Sequence, residues 1–192
     1  AKPQKSIKTV LSDNESLLLP RPVKKCFFTK KIGAMLEKGD FVFNGGKTPA
    51  EKIEKASLTK VADRTTSLKK GQYAVYDLVE ETTGQIFFDI TAGNSEKNTA
   101  ETAAENTAEN TAENVVYIGY GEDFKGRVHA YINGRNFAFS YKLSGGENKF
   151  VQPFGRTGGR YLVVFSLCDI SVREIGVSEI GYPVTKRELA FK

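Results

Sequence analysis

Residues 71–91 read GQYAVYDLVEETTGQIFFDIT, and this stretch carries the strongest indication of the fold class. In residues 72–79 the side chains alternate, with Tyr73, Val75 and Asp77 on one face, which is the two-residue period of a strand. Residues 85–91 have the same β-forming composition, and Thr82-Thr83-Gly84 between the two segments predicts a turn. The stretch therefore predicts two consecutive strands joined by that turn.

The same reasoning predicts strands over much of the remaining chain. Asn133-Gly134 is a strong signal for a two-residue hairpin turn, and Gly145-Gly146 predicts a further turn. The segment at 160–167 is apolar on both faces, which is typical of a central strand. The other predicted strands cover residues 24–30, 40–44, 115–120, 127–132, 135–142, 170–177 and 182–184. About ten short strands at this spacing predict an all-β, two-sheet sandwich of jelly-roll type.

One helix and one loop insertion interrupt the strands. Thr48-Pro49-Ala50-Glu51 predicts a helix start, with Thr48 as N-cap, and the helix is short because β-forming sequence resumes by Leu58. Residues 95–114 contain repeats close to Glu-Asn-Thr-Ala and carry no large apolar side chain. An Ala/Glu-rich helix is conceivable there, but we favour a flexible, disordered loop.

The predicted domain organisation is an N-terminal arm at residues 1–22 followed by a β-sandwich domain at 23–192. The arm contains the run Leu17-Leu18-Leu19, which could pack against the core. No signal peptide is recognisable, so we expect any export signal to have been removed already.

Charge and hydropathy argue against membrane and nucleic-acid partners. The chain has 192 residues, of which 40% are hydrophobic, and no apolar run approaches the 18 residues of a membrane span. The net charge is +5, and the lysines of the basic first 70 residues are scattered among acids. A solvated surface is the simpler interpretation of this asymmetry, since no nucleic-acid motif accompanies it.

The residues that usually perform catalysis are few. The single histidine, His129, lies in a predicted strand without a nucleophile motif, and we interpret it as structural or surface-exposed. Glu122 and Asp123 are adjacent at a turn, so they do not form the facing carboxyl pair of a glycosidase. The glycine-rich segment at 155–159 lacks a P-loop ending and predicts a turn. We therefore predict that this chain alone is non-catalytic.

We also expect no metal and no cofactor. Cys26 and Cys168 lack metal-ligand spacing, and a single histidine offers little to zinc. Two buried free thiols are the simpler interpretation of the cysteines, and a single long-range disulfide is the alternative.

One cluster of residues could bind a carbohydrate or form a domain interface. Sugar sites combine flat aromatic rings with groups that hydrogen-bond to hydroxyls, and the chain has 8 Tyr but no Trp. The candidate residues around one predicted loop are Tyr117, Tyr120, Glu122, Asp123 and Arg127. Core and rim tyrosines with solvated charges are the alternative interpretation.

Several segments together resemble the accessory β-sandwich of bacterial α-L-rhamnosidases. The strand over residues 71–78 resembles one that ends in Tyr-Asp-Phe-Gly in that family, although Leu78-Val79 replaces Phe-Gly. Residues 116–122 are similar to its Tyr-Gly-Glu strand end, and 150–162 look like its Phe-x-Pro-Phe and Gly-x-Arg-Tyr-Leu segments. Residues 182–184 look like the exit toward the catalytic domain.

The resemblance covers residues 71–184 and implies a function. It implies a non-catalytic domain of a glycoside hydrolase that braces a helical catalytic domain of the same parent protein and aids carbohydrate capture. It also implies a periplasmic or secreted location. Arg160 and Tyr161 match a structural pair, and Glu122 matches a residue expected at a domain interface. The alternatives are an autonomous module that binds plant or bacterial glycans, and a protein–protein interaction domain.

Overall fold

The computed structural model describes residues 27–93 and 114–181, which form antiparallel β-structure with one short helix. The elements are β1 Phe27–Ile32, β2 Ala34–Val42, α1 Pro49–Lys55, β3 Ser57–Lys60, β4 Ser67–Leu68, β5 Gln72–Ala92, β6 Val115–Gly121, β7 Tyr131–Ile132, β8 Arg135–Asn136, β9 Ala138–Lys142, β10 Gly146–Val151, β11 Thr157–Ser166 and β12 Ile170–Gly181. Ten of the strands share one sheet, and β7 pairs with β8 separately.

The long strand β5 belongs to both layers of this sheet. Its first half pairs with β2 and β11, and its second half pairs with β12 and β10. Ala74 and Tyr76 from the first half and Ile86 and Phe88 from the second half lie in the same buried cluster. The sheet therefore curls over a shared interior, which confirms the predicted all-β, sandwich-like fold; the jelly-roll topology stays a prediction.

A second core lies on the opposite face of β5, β6 and β11. Tyr73 and Val75 point into it, as the alternation in the sequence predicts, and Phe165 of β11 joins them. Ile53 of α1 covers this core from outside. The helix starts as predicted, with the Thr48 side chain accepting a hydrogen bond from the Glu51 N–H at 3.2 Å.

The predicted turn at Thr82-Thr83-Gly84 is wrong. These residues are part of β5, and they pair with residues 157–159 at the start of β11. The glycine is required by packing, because a Cβ on Gly84 would lie 2.7 Å from the carbonyl carbon of Ser178 in β12. The turn predicted at 155–159 is wrong for residues 157–159, which are strand because they pair with residues 82–84 of β5. Gly155, with φ of 95°, lies just before this strand.

Other boundaries also differ from the prediction. The strand predicted at 40–44 is the end of β2, which stops at Val42 before the chain turns toward α1. Residues 127–130 are not a strand: Val128 makes an isolated antiparallel bridge to Phe124, and Val128 and Ala130 pack in the second core. The predicted hairpin turn is confirmed in the short β7–β8 pair, with Asn133 and Gly134 at φ of 50° and 79°.

Some predicted features lie outside the described residues. They are the arm at 1–22, the start of the first strand at 24–26, nearly all of the repeat at 95–114 and the segment at 182–184. Cys26 lies outside as well, while Cys168 is a half-buried free thiol. The domain boundaries stay predictions. No helix in the described part of the chain has the length and apolar character of a membrane span.

Candidate functional site

An open cleft of about 380 Å³ lies where β6 ends. Tyr120 and Gly121 enter it from β6, and Glu122 and Asp123 follow in the loop. The remaining lining residues come from other parts of the fold and are His129, Ile132, Phe137 and Gly158. The structure therefore brings together three of the five candidates from the sequence, Tyr120, Glu122 and Asp123.

One wall of the cleft is aromatic and apolar. The ring of Tyr120 meets the edge of Phe137, with ring centroids 5.5 Å apart, and Ile132 is 47% exposed beside them. Burial raises the pKa of the Tyr120 hydroxyl, so this group stays neutral and can both donate and accept a hydrogen bond.

The polar wall is formed by carboxylates and an imidazole. Glu122 and Asp123 are exposed, and Lys125 lies 3.2 Å from the Asp123 carboxylate. His129 Nδ1 lies 2.9 Å from Glu54 Oε1, so the carboxylate oxygen accepts a hydrogen bond from the Nδ1–H tautomer, which fixes the orientation of the ring. The sequence did not place His129 at this site, because its partner is 75 residues away on α1.

The other two candidates have structural partners outside the cleft. Lys52 Nζ lies 3.3 Å from the Tyr117 hydroxyl, and the Tyr117 ring lies against Phe43 with centroids 5.9 Å apart. Arg127 donates to the carbonyl oxygens of Glu54 and Ala56, which belong to the end of α1. This contact holds the loop after the cleft against the helix and satisfies carbonyls that a helix end leaves unpaired.

Beside the cleft, three segments of the sequence resemblance meet at Tyr161. This residue pairs with Asp77 of β5 on one side and with Gly121 of β6 on the other. Arg160 makes two hydrogen bonds to the Asp77 carboxylate, from Nε at 2.7 Å and from Nη2 at 2.8 Å. The contact is structural, since it ties β11 to β5 across 83 residues of sequence.

Replacing Asp77 with Asn is expected to lower stability by about 1–2 kcal/mol at pH 7, because a two-pronged charged contact is lost at a half-exposed site. The Arg160 hydrogen bonds hold the pKa of Asp77 below its usual value. Because the pKa of Asp77 is lower in the folded state, its charge stabilises the fold at pH values above the unfolded-state pKa near 3.9. This stabilisation is lost as the pH falls through the folded-state pKa. Urea unfolding at pH 7 and at about pH 2 measures the difference in the free energy of unfolding between the native protein and Asp77→Asn. A difference of the same size at both pH values would contradict the prediction. Asp123→Asn is the control at an exposed position.

Val79, two residues after Asp77, has a strained backbone conformation. Its φ is 73°, which is unfavourable for a β-branched residue, and its side chain is 74% exposed. The N–H of Val79 donates to Asp77 Oδ1 at 2.7 Å, which holds the backbone in place. This is the position where the resembled family has Gly, so the departure in sequence coincides with the strain.

Val79→Gly is expected to raise the free energy of unfolding by about 1 kcal/mol, because relief of strain exceeds the entropic cost of glycine. Val42→Gly is the matched control, since Val42 is 65% exposed in β2. The free energy of unfolding of Val42→Gly is expected to fall by about 1 kcal/mol, because glycine weakens a strand. Denaturant unfolding of both variants measures the difference, and equal losses would show that Val79 carries no strain.

The fold and the cleft define the class of this protein as an all-β, sandwich-like domain with an amphipathic cleft at one strand end. No family model and no curated protein matches the chain. Among solved structures, the chain is similar to the GH78 family rhamnosidase of Bacillus sp. GL1, with 24% identity, a TM-score of 0.44 and coverage of 62% of this chain and 11% of that one.

A second similar structure is the rhamnosidase from Klebsiella oxytoca with rhamnose bound. The identity is 12%, the TM-score is 0.47, and the alignment covers 80% of this chain and 29% of that one. This chain therefore spans less than a third of the length of either protein. Both are rhamnosidases, the family that the sequence resembles.

Proposed function

We propose that this chain is a non-catalytic β-sandwich domain of an α-L-rhamnosidase-like glycoside hydrolase, where it braces the catalytic domain. The observation that carries the proposal is the convergence at Tyr161. The three resembling segments are separate in sequence, yet they occupy adjacent strands and are joined by the Asp77–Arg160 contact. Residues that recur together for a structural reason are expected to be in direct contact, as these are.

The end of β6 has the chemistry of a surface that contacts another domain. Exposed Glu122 and Asp123 stand next to the half-exposed apolar side chain of Ile132. Contacts between domains of one chain are typically mixed in this way, with a small apolar centre and a polar rim. Glu122, which matches the residue expected at a domain interface, lies at this position.

The test uses both the isolated chain and the complete gene product. The isolated chain is expected to leave an aryl α-L-rhamnoside unhydrolysed, and turnover that follows the chain through purification would overturn the proposal. In the complete gene product, Glu122→Lys and Ile132→Asp should lower the melting temperature of the catalytic domain while KM changes little. Val42→Asp, at an exposed position of β2 that does not line the cleft, is the control.

A second candidate function is carbohydrate capture, as part of this role or as an autonomous module. The cleft favours it, because an apolar wall at Tyr120 and Phe137 faces hydrogen-bonding groups at Glu122 and His129. That combination is typical of sites that bind small polar ligands.

Titration of plant and bacterial oligosaccharides against the isolated chain tests this second function. Saturable binding that Tyr120→Ala or Glu122→Ala reduces at least tenfold, while Tyr117→Phe leaves it unchanged, would support a carbohydrate site in the cleft. Binding insensitive to both cleft variants would place the site elsewhere.

The proposed role also implies a periplasmic or secreted location, which cell fractionation of the native protein would check.

A further inference from the structure

A second open cleft, of about 410 Å³, lies between β2 and the loop that follows β3, and we call it the basic cleft. Part of its lining is apolar and part is charged. The apolar side chains include Leu36 and Phe124, and the charged ones include Glu37, Lys60 and Arg64. A small volume lined by apolar surface and a few placed charges is typical of sites for small molecules.

A buried lysine fixes the loop that carries Arg64. The Lys38 side chain is 3% exposed, and its ammonium group donates to Asp63 Oδ2 at 2.5 Å and to Thr65 Oγ1 at 3.0 Å. A third hydrogen bond goes to the carbonyl oxygen of Ser67 at 2.7 Å, so all three donors of this buried group are paired. Asp63 and Thr65 stand on either side of Arg64, so the backbone from which Arg64 projects is held in place.

Arg64 gives the basic cleft one unbalanced positive charge. Lys38 is paired with Asp63, and this contact lowers the pKa of Asp63 to about 2, so the carboxylate is ionised at neutral pH. Lys60 Nζ lies 2.5 Å from Glu37 Oε2 and is balanced in the same way. Arg64 is exposed and makes no hydrogen bond or ion pair with any residue in the described ranges. Its planar guanidinium group therefore offers two parallel N–H donors to an anion.

The aromatic lining of the basic cleft has a fixed neighbour. The Glu37 side chain is 9% exposed, and its Oε1 accepts a hydrogen bond from the Tyr73 hydroxyl at 2.7 Å, so Glu37 holds Lys60 at one position. Lys60 Nζ lies 5.9 Å from the centroid of the Phe124 ring, and Leu36 is 36% exposed in the same cleft. A ligand bound to the guanidinium group therefore meets apolar surface that suits the face of a single ring.

We propose that the basic cleft binds a small organic acid in which a carboxylate is attached to a six-membered ring. Arg64 binds the carboxylate through two hydrogen bonds, and the ring lies against Leu36 and Phe124. A carboxylate fits better than a phosphate dianion, because one negative charge balances the one unpaired positive charge. Sugar acids and aromatic acids share this chemistry. The inference goes beyond the proposed function and does not depend on it.

The test is a titration of the isotope-labelled full chain, followed by amide NMR shifts, with glucuronate, benzoate, glucose and sulfate. Glucuronate and benzoate represent the two sources of the ring carboxylate, whereas glucose lacks the carboxylate and sulfate lacks the ring. At least one of the two acids is expected to shift the resonances of residues 36–38 and 60–65 and to bind at least tenfold tighter than glucose and sulfate. Which acid binds tighter identifies the source.

Substitutions assign the binding to the guanidinium group. Arg64→Ala is expected to weaken binding of the preferred acid at least tenfold, and Arg64→Lys should restore only part of it, because an ammonium group lacks the planar fork. Arg156→Ala is the matched control, since Arg156 is exposed, lies outside the basic cleft and carries the same charge. The control should leave the dissociation constant within twofold, and circular dichroism checks that each variant is folded.

Three results would overturn the proposal. If neither acid shifts the resonances around the basic cleft, the cleft is not a site for ring carboxylates. Sulfate that binds as tightly as both acids would show attraction of any anion. An equal loss in Arg156→Ala and Arg64→Ala would show an effect of net charge alone. Each of these outcomes leaves the proposed function to be decided by its own experiments.

Discussion

Gly84→Ala is expected to destabilise the protein by about 3 kcal/mol or more, because the added methyl group has no space between two strands. Its Cβ would lie 2.7 Å from the Ser178 carbonyl carbon and 2.8 Å from a Val177 methyl group. The nearest atoms belong to the backbone, so the clash can be relieved only by moving β12 away from β5. Urea unfolding followed by circular dichroism measures the loss.

Gly158→Ala is the matched control for this substitution. Gly158 lies opposite Thr83 in the same pair of strands, and a Cβ there would meet its nearest atom, Thr83 Oγ1, at 3.6 Å. The control is expected to change stability by less than about 0.5 kcal/mol. If residues 82–84 formed a surface turn, both variants would be nearly neutral, so an equal small effect would contradict the continuous strand β5.

Phe165→Ala is expected to have the largest effect among the core residues, about 3–5 kcal/mol. The Phe165 side chain is 1% exposed, and its ring lies 4.7 Å from that of Phe41 and 5.7 Å from that of Tyr73. Its removal leaves a cavity beneath β2, whose surroundings are held by strand pairing and cannot collapse. Domains are typically stable by about 5–15 kcal/mol, so the variant would be marginal.

Thermal unfolding measures this effect, with an expected decrease in Tm of about 10 °C. Phe154→Ala is the control, since Phe154 is 84% exposed and its removal should change stability by less than about 0.5 kcal/mol. A small effect of Phe165→Ala would mean that the second core contributes little and that the first core alone maintains the fold.

The role of Gly84 is an example of what the sequence could not predict. Glycine near Thr82-Thr83 indicated a turn because glycine frees the backbone, but Gly84 is required by the closeness of another strand. A turn and a close contact between strands both favour glycine, and only the position of β12 shows that the contact is the reason at Gly84. The same holds for His129, whose orientation depends on Glu54 of α1.

Local periodicity and local chemistry determined much of this protein from the sequence by itself. The alternation at 73–78, the Thr48 cap and the Asn133-Gly134 turn were predicted correctly, because each depends on residues a few positions apart. The tertiary structure alone decided that β5 continues through Gly84, that Arg127 holds α1, and that Tyr120 and Glu122 share a cleft with His129. These contacts join residues distant in sequence, and they exist only once the curled sheet brings their strands together.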